Sequence, residues 1–134
     1  MHVGEAVWDN HLISAMNLAI HILTLHGAKV ILMTSPYVSS TGGTNSGIQF
    51  VGGTPARVDL YKGLVRKVAA QHPDQVTAYD LNKEFTVKKD VYMPNIDGYV
   101  VRLSDGTHFT RDAGELAAIP LFPIVRGLAH ARPS

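Results

Sequence analysis

The stretch Lys29-Val-Ile-Leu-Met-Thr34 decides the fold class of this chain. It is short and rich in strand-forming residues, and no polar side chain alternates through its apolar centre. Strands of parallel sheets have such continuous apolar runs because helices cover both of their faces. The run therefore predicts a strand of a parallel sheet that is covered on both sides.

Helical patterns flank this strand. Residues 8–26 carry apolar side chains at spacings of three and four, and Gly27 follows as a C-terminal cap. The predicted buried stripe of this helix is Leu12, Met16, Ala19 and Leu23, widened by Ile13 and Ile20. After the strand, Thr54 suits the N-cap of a second helix and Pro55 its first position. The predicted buried stripe of the second helix is Val58, Tyr61, Leu64, Val65 and Val68, and His72-Pro73 ends it.

The rest of the chain continues the alternation. Residues 75–81 predict a second buried strand, and residues 99–103 a short third strand after a turn at 94–98. Residues 82–97 are irregular and polar, and residues 35–53 form a long polar loop. Thr110 is predicted to cap a last helix that ends near Ala129, with a break or a kink at Pro120 and Pro123.

This order predicts an α/β fold with a mostly parallel sheet and helices on its faces. Only two of the strands have strong patterns, and a sheet of two or three strands leaves both of its edges unpaired. We find no internal repeat and no domain linker. The pattern is typical of one part of a larger domain.

Composition excludes several classes of function. Lysines and arginines number 12 against 11 acids, and no dense basic stripe is present, so we expect no nucleic-acid partner. The chain has no cysteine, which excludes disulfides, thiolate zinc sites and cysteine nucleophiles. No apolar run reaches the roughly 18 residues of a membrane span. The first residues lack the pattern of a signal peptide, so the sequence leaves the localisation open.

The strongest candidate site is Arg102-Leu-Ser-Asp-Gly-Thr-His-Phe-Thr110. It precedes the last helix, at the rim where strands of open α/β sheets carry their sites. Asp105 and His108 are three residues apart, a spacing that can aim both side chains at one pocket. The carboxylate would orient the imidazole, which would relay protons for a serine hydroxyl. The alternative is a surface turn that caps the helix.

The segment Asp105-Gly-Thr-His-Phe-Thr110, followed by Gly114, resembles the last conserved block of SGNH (GDSL-type) hydrolases, in the version found behind membrane acyltransferase-3 domains. Residues 27–37, 57–66 and 76–82 are similar to earlier elements of the same family in the same order. The resemblance implies a partial flavodoxin-like three-layer α/β/α sandwich, in which residues 1–134 form the C-terminal portion of one SGNH-like domain. It implies that His108 is the general base and Asp105 its orienting partner.

The resemblance also implies a substrate and a missing part. The complete domain would act on an acyl ester, or transfer the acyl group to a glycan hydroxyl, without a metal or organic cofactor. Its localisation would be extracytoplasmic. The family's Gly-Asp-Ser nucleophile block and its oxyanion residues normally precede the stretch that this chain resembles, and we find neither here. No G-x-S-x-G elbow is present either. The serines in or near the long loop are poor candidates for a nucleophile: Ser35, Ser39, Ser40 and Ser46.

Two hypotheses therefore stand. In the first, the chain is part of an SGNH-type esterase or O-acyltransferase domain, either as a contributor to catalysis or as a pseudoenzyme. In the second, it is a non-catalytic α/β interaction module, completed by a partner or by self-association through its open sheet edge. No metal site is expected, because His21 and His26 are five residues apart and do not share a helix face.

Overall fold

A computed structural model of the protein describes residues 3–39 and 54–130. Within these residues helices and strands alternate, which confirms the predicted α/β class. The elements are α1 (Ala6–Thr24), β1 (Val30–Met33), α2 (Pro55–Gln71), β2 (Val76–Tyr79), α3 (Leu81–Glu84), β3 (Asn95–Ile96), β4 (Tyr99–Val100) and α4 (Arg111–His130).

The sheet at the centre of the fold consists of β1 and β2, which run parallel with Val30 opposite Val76 and Met33 opposite Tyr79. Helix α2 connects the two strands, so the unit is β-α-β. The predicted parallel pairing is therefore confirmed. In the described part of the chain no third strand joins this pair.

The first core lies between this sheet and the helices α1 and α2. Its buried members are Ile20, Val68, Ala69 and Val76, and Ile13, Met16, Val30 and Leu32 pack against them. Of the stripe predicted for α2, Val58, Val65 and Val68 are buried and Tyr61 and Leu64 are half-buried. Pro55 is the first residue of α2, as predicted, but the Thr54 side chain makes no capping hydrogen bond.

One prediction about burial is right in part and another is wrong. In α1 the side that packs on the core contains Ile13, Met16 and Ile20 of the predicted stripe. Ala19 and Leu23 of that stripe are exposed, because the helix faces the core with its Ile13 side. Strand β1 is not covered on both faces: its first three residues are half-buried and Met33 is exposed. The reason is that only α1 and α2 pack closely on the sheet, at Val30 and Leu32.

A second core supports the C-terminal half. It contains Phe85, Ile96, Val101 and Ala113, with Leu81, Met93, Leu116 and Ala117 packed against it. Strands β3 and β4 form an antiparallel hairpin whose turn residues, Asp97 and Gly98, both have positive φ. The predicted third strand is therefore wrong in its extent and place, because residues 99–100 pair with β3 and do not extend the parallel sheet.

Two further elements differ from expectation. The segment expected to be irregular begins with α3, which Asp80 caps by accepting a hydrogen bond from the Lys83 N–H. Helix α4 is continuous through Pro120 and Pro123, so the predicted break is absent. Its start is as predicted, since Thr110 Oγ1 accepts a hydrogen bond from the Ala113 N–H.

Most of the exposed large apolar side chains of the helices belong to α1 and α4. On α1 they are Val7, Leu18, Ile22 and Leu23, followed by Leu25 at its C-cap, and on α4 they are Ile119, Phe122 and Val125. Leu18 and Ile22 lie on the face of α1 opposite the side that packs on the core, and Leu25 continues this face. Across residues 3–39 and 54–130, no helix combines the length and the hydrophobicity that a membrane crossing requires.

Candidate functional site

The carboxyl ends of the two parallel strands are joined by a polar network. Thr34, directly after β1, donates a hydrogen bond from Oγ1 to Asp80 Oδ1 at 2.9 Å. The Asn82 backbone N–H donates in turn to Thr34 Oγ1 at 3.1 Å. Thr34 and Asn82 are buried, and the network satisfies their polar groups. The residues that directly follow β1 and β2 therefore lie in contact.

Tyr37 extends this network into the loop after β1. Its backbone N–H donates to Asn82 Oδ1 at 3.2 Å, and its hydroxyl donates to Asp59 Oδ1 at 3.0 Å. Burial raises the pKa of Tyr37, whereas the hydrogen bond from Lys62 lowers the pKa of Asp59. The loop is thus anchored both to the rim and to the first turns of α2.

The segment that carries Asp105 and His108 is a tight hairpin-like loop. Arg102 and Phe109 form an antiparallel bridge at its base. Inside it, the Leu103 N–H donates to the His108 carbonyl and the Gly106 N–H donates to the Leu103 carbonyl, both at 2.9 Å. Gly106 has φ +69°, a conformation that glycine adopts without steric cost. The sequence Asp-Gly therefore places the turn between the two candidate residues.

Asp105 and His108 contact each other directly. Nδ1 of His108 lies 2.6 Å from Oδ2 of Asp105. The other carboxylate oxygen, Oδ1, accepts hydrogen bonds from the backbone N–H groups of Thr107 at 2.8 Å and His108 at 2.9 Å. The hydrogen bond from His108, followed by those two backbone donors, lowers the pKa of Asp105 from 3.8 to about 2. The carboxylate is therefore ionised at neutral pH.

This arrangement leaves the other ring nitrogen of His108 available. When a neutral imidazole donates from Nδ1, its lone pair is on Nε2, which can then accept a proton. The His108 side chain is 75% exposed, so a reacting group has access to it. Within residues 3–39 and 54–130, no hydroxyl is hydrogen-bonded to Nε2.

The loop is attached to the rim at two points. The Ser39 N–H donates to the Gly106 carbonyl at 3.0 Å, and the Arg102 Nη2 donates to the Tyr37 carbonyl at 2.9 Å. The segment that carries Asp105 and His108 therefore lies against the loop that follows β1. Arg102 was not among the residues predicted for the site. Its signal in the sequence is an arginine inside the apolar run of residues 99–103.

The remaining candidates contribute little. Ser35 Oγ donates to the Pro36 carbonyl, Ser104 is exposed, and the predictions on Ser40 and Ser46 lie outside the described residues. His21 and His26 are both exposed on α1 or just beyond it. Among the described residues, no group of three histidines or acids is placed to hold a metal ion.

Comparison with known proteins gives no match: no family model, no curated protein and no solved structure is significantly similar to this chain.

Proposed function

We propose that this chain supplies the acid–base half of an SGNH-type site for acyl-ester hydrolysis or acyl transfer to a glycan hydroxyl. The observation that supports the proposal most strongly is the 2.6 Å contact between His108 Nδ1 and Asp105 Oδ2. It is the contact that a histidine base needs from its orienting carboxylate. The motif that contains both residues is also the one that resembles the family.

The proposal gives each of the two residues a role. Nε2 of His108 takes the proton of a serine hydroxyl as its oxygen attacks the acyl carbonyl. Asp105 stays ionised, because its pKa is about 2, and stabilises the imidazolium that forms. His108 then protonates the departing alkoxide. In the second half, it deprotonates water or a glycan hydroxyl, whose oxygen takes the acyl group, and it returns this proton to the serine oxygen that departs. In this proposal the serine comes from the family's Gly-Asp-Ser block, which residues 1–134 do not contain.

The same proposal includes the finer architecture, a flavodoxin-like three-layer sandwich. Val30 and Leu32 of β1 pack toward α1 and α2. Ile31 points to the opposite face, since side chains alternate along a strand, and there it lines a groove together with Val125 and Leu128 of α4. A helix beside the second face of β1, although not closely packed on it, supports this architecture.

Hydrolysis of p-nitrophenyl acetate by the full chain tests the role of His108. Even without a serine, an oriented imidazole attacks this activated ester or deprotonates water. We expect His108→Ala to lower the rate by a factor of about ten to a hundred, at or below the lower end of what a positioned base contributes. His21→Ala is the matched control, because His21 is exposed but lies on α1. Equal effects of the two substitutions would contradict the proposal.

The second candidate is a non-catalytic interaction module. It is favoured by the edges of the two-stranded sheet, which no other described strand pairs with, and by the exposed apolar face of α1 at Leu18 and Ile22. Sedimentation of the full chain separates the candidates when it is combined with the ester assay. Concentration-dependent association that Ile22→Glu abolishes, together with no effect of His108→Ala on ester hydrolysis, would favour the module.

A further inference from the structure

Arg102 is a buried cation that no acid pairs with in the described part of the chain. The whole residue is 5% exposed, and burial lowers the pKa of its guanidinium. Among the described residues no carboxylate forms an ion pair with it. Burying an arginine is costly unless its N–H groups are hydrogen-bonded. The cost of burying Arg102 is explained by the segments that its hydrogen bonds hold in place.

The hydrogen bonds of Arg102 connect two separate segments. Nη1 donates to the Thr107 carbonyl at 2.8 Å, inside the loop between Asp105 and His108. Nη2 donates to the Tyr37 carbonyl at 2.9 Å, in the loop after β1. One rigid guanidinium therefore bridges the candidate loop and the rim of the sheet. A planar fork of donors suits this geometry, whereas the single ammonium of a lysine does not.

Aromatic rings fix the guanidinium further. Its Cζ lies 4.1 Å from the centre of the Phe109 ring and 5.7 Å from that of Phe85. These distances are within the range of cation–π contacts. Phe109 directly follows His108, and Phe85 belongs to the second core. The guanidinium thus connects the residue next to the candidate base with the packed interior.

We propose that Arg102 is a positioning residue, which holds the loop between Asp105 and His108 in the shape that keeps their side chains together. It touches neither side chain of the pair. It acts through the Thr107 carbonyl, since the Thr107 N–H is one of the donors to Asp105, and through the Phe109 ring beside His108. The catalytic meaning of this role rests on the proposed function, but the role itself concerns only the pair's geometry.

Nuclear magnetic resonance of the full chain tests this role without any substrate. The signals to follow are the His108 ring nitrogens and the Asp105 carboxyl carbon during an acid titration. In the wild-type chain we expect a proton on Nδ1 and a carboxyl pKa of about 2. In Arg102→Met and Arg102→Lys we expect loss of the Nδ1–H signature and a rise of the carboxyl pKa toward 3.8.

Arg111→Met is the matched control. Arg111 lies three residues after His108 and its side chain is 91% exposed, paired only with Glu115 on its own helix. The substitution removes the same charge close to the loop, but in the described part of the chain Arg111 does not connect two separate segments. We expect it to leave both signals unchanged. If Arg102→Lys behaves like the wild type, or if Arg111→Met shifts the pair as much as Arg102→Met, the proposal is overturned.

A variant that keeps the arginine covers the case in which the Arg102 variants do not fold. Phe109→Leu removes the ring at 4.1 Å but retains an apolar side chain and both carbonyl contacts. We expect a shift of the Asp105 and His108 signals in the same direction, at unchanged circular dichroism. Unchanged signals would overturn the proposal. Because this experiment uses no ester, its result does not depend on whether the acyl-transfer hypothesis holds.

Discussion

The His108 ring and the Asp105 carboxylate form a closed unit within four consecutive residues. Nδ1 of His108 contacts Oδ2 of Asp105 at 2.6 Å, while the His108 backbone N–H donates to Oδ1 of the same carboxylate at 2.9 Å. One carboxylate therefore fixes both the side chain and the backbone of the histidine. This double contact determines which ring nitrogen faces outward.

The pKa of Asp105 depends on this unit. In His108→Ala we expect it to rise from about 2 toward 3.8, because the hydrogen bond that lowers it most is removed. The rise is incomplete, since the backbone N–H of Thr107 still donates. Carbon NMR of the carboxyl group measures it. His21→Ala is the control and is expected to leave the value unchanged; a shift of equal size there would contradict the assignment.

Acid weakens the contribution of Asp105 to stability. The folded-state pKa of Asp105 lies below 3.8, so its stabilisation is complete above that pH and is lost as the pH falls toward 2. We expect the wild type to exceed Asp105→Asn in free energy of unfolding at about pH 5, and this advantage to shrink in stronger acid. Urea unfolding at several pH values measures the difference. An advantage that is constant over this range would contradict the pKa assignment.

The turn between the two residues requires glycine. A Cβ on Gly106 would overlap the Cβ of Ser39, and φ is +69°. Gly98 also has positive φ, +85°, but nothing lies near its missing side chain. We expect Gly98→Ala to cost about 1–2 kcal/mol from its conformation alone. We expect Gly106→Ala to cost about 1–3 kcal/mol more than this, because its Cβ also overlaps Ser39. Thermal unfolding compares them, and equal losses would show that the loop is not pressed against Ser39.

The packing of α2 on the sheet sets the stability of the first core. Val68 is fully buried, and we expect Val68→Ala to cost about 2 kcal/mol, the transfer free energy of such a side chain plus a small cavity. Leu60 lies on the same helix with 48% of its surface exposed. Leu60→Ala is expected to cost well under about 1 kcal/mol. Denaturant unfolding of both variants checks the orientation of α2. A larger loss of stability in Leu60→Ala than in Val68→Ala would contradict it.

The sequence predicted the elements whose local signals agree with their packing. Thr54-Pro55 marks the start of α2, and the apolar run of residues 29–34 marks β1. It failed where long-range contacts decide. The short helix α3 depends on the Asp80 side chain, whose other partners, Thr34 and Arg66, come from distant segments. The predicted α1 stripe was too wide, since it included the exposed Ala19 and Leu23. That helix is apolar on two sides, so periodicity alone did not narrow the stripe to the side that packs on the core.

In the candidate site, too, local contacts could be predicted from the sequence and long-range contacts could not. The local motif contains the Asp105–His108 contact, because both residues belong to one turn. The bridge from Arg102 to Tyr37 joins residues that are 65 positions apart, and nothing in a single sequence pairs them. The polar rim formed by Thr34, Asp80 and Asn82 likewise requires the two strands to lie side by side.

The central claim is that Asp105 and His108 act as one acid–base unit toward an ester. A double-mutant cycle tests it: rates of p-nitrophenyl acetate hydrolysis for the wild type, Asp105→Asn, His108→Ala and the double variant. We expect each single substitution to lower the rate and the double variant to equal His108→Ala, because the carboxylate acts only through the imidazole. Independent effects that multiply in the double variant, or no loss in His108→Ala, would contradict the account.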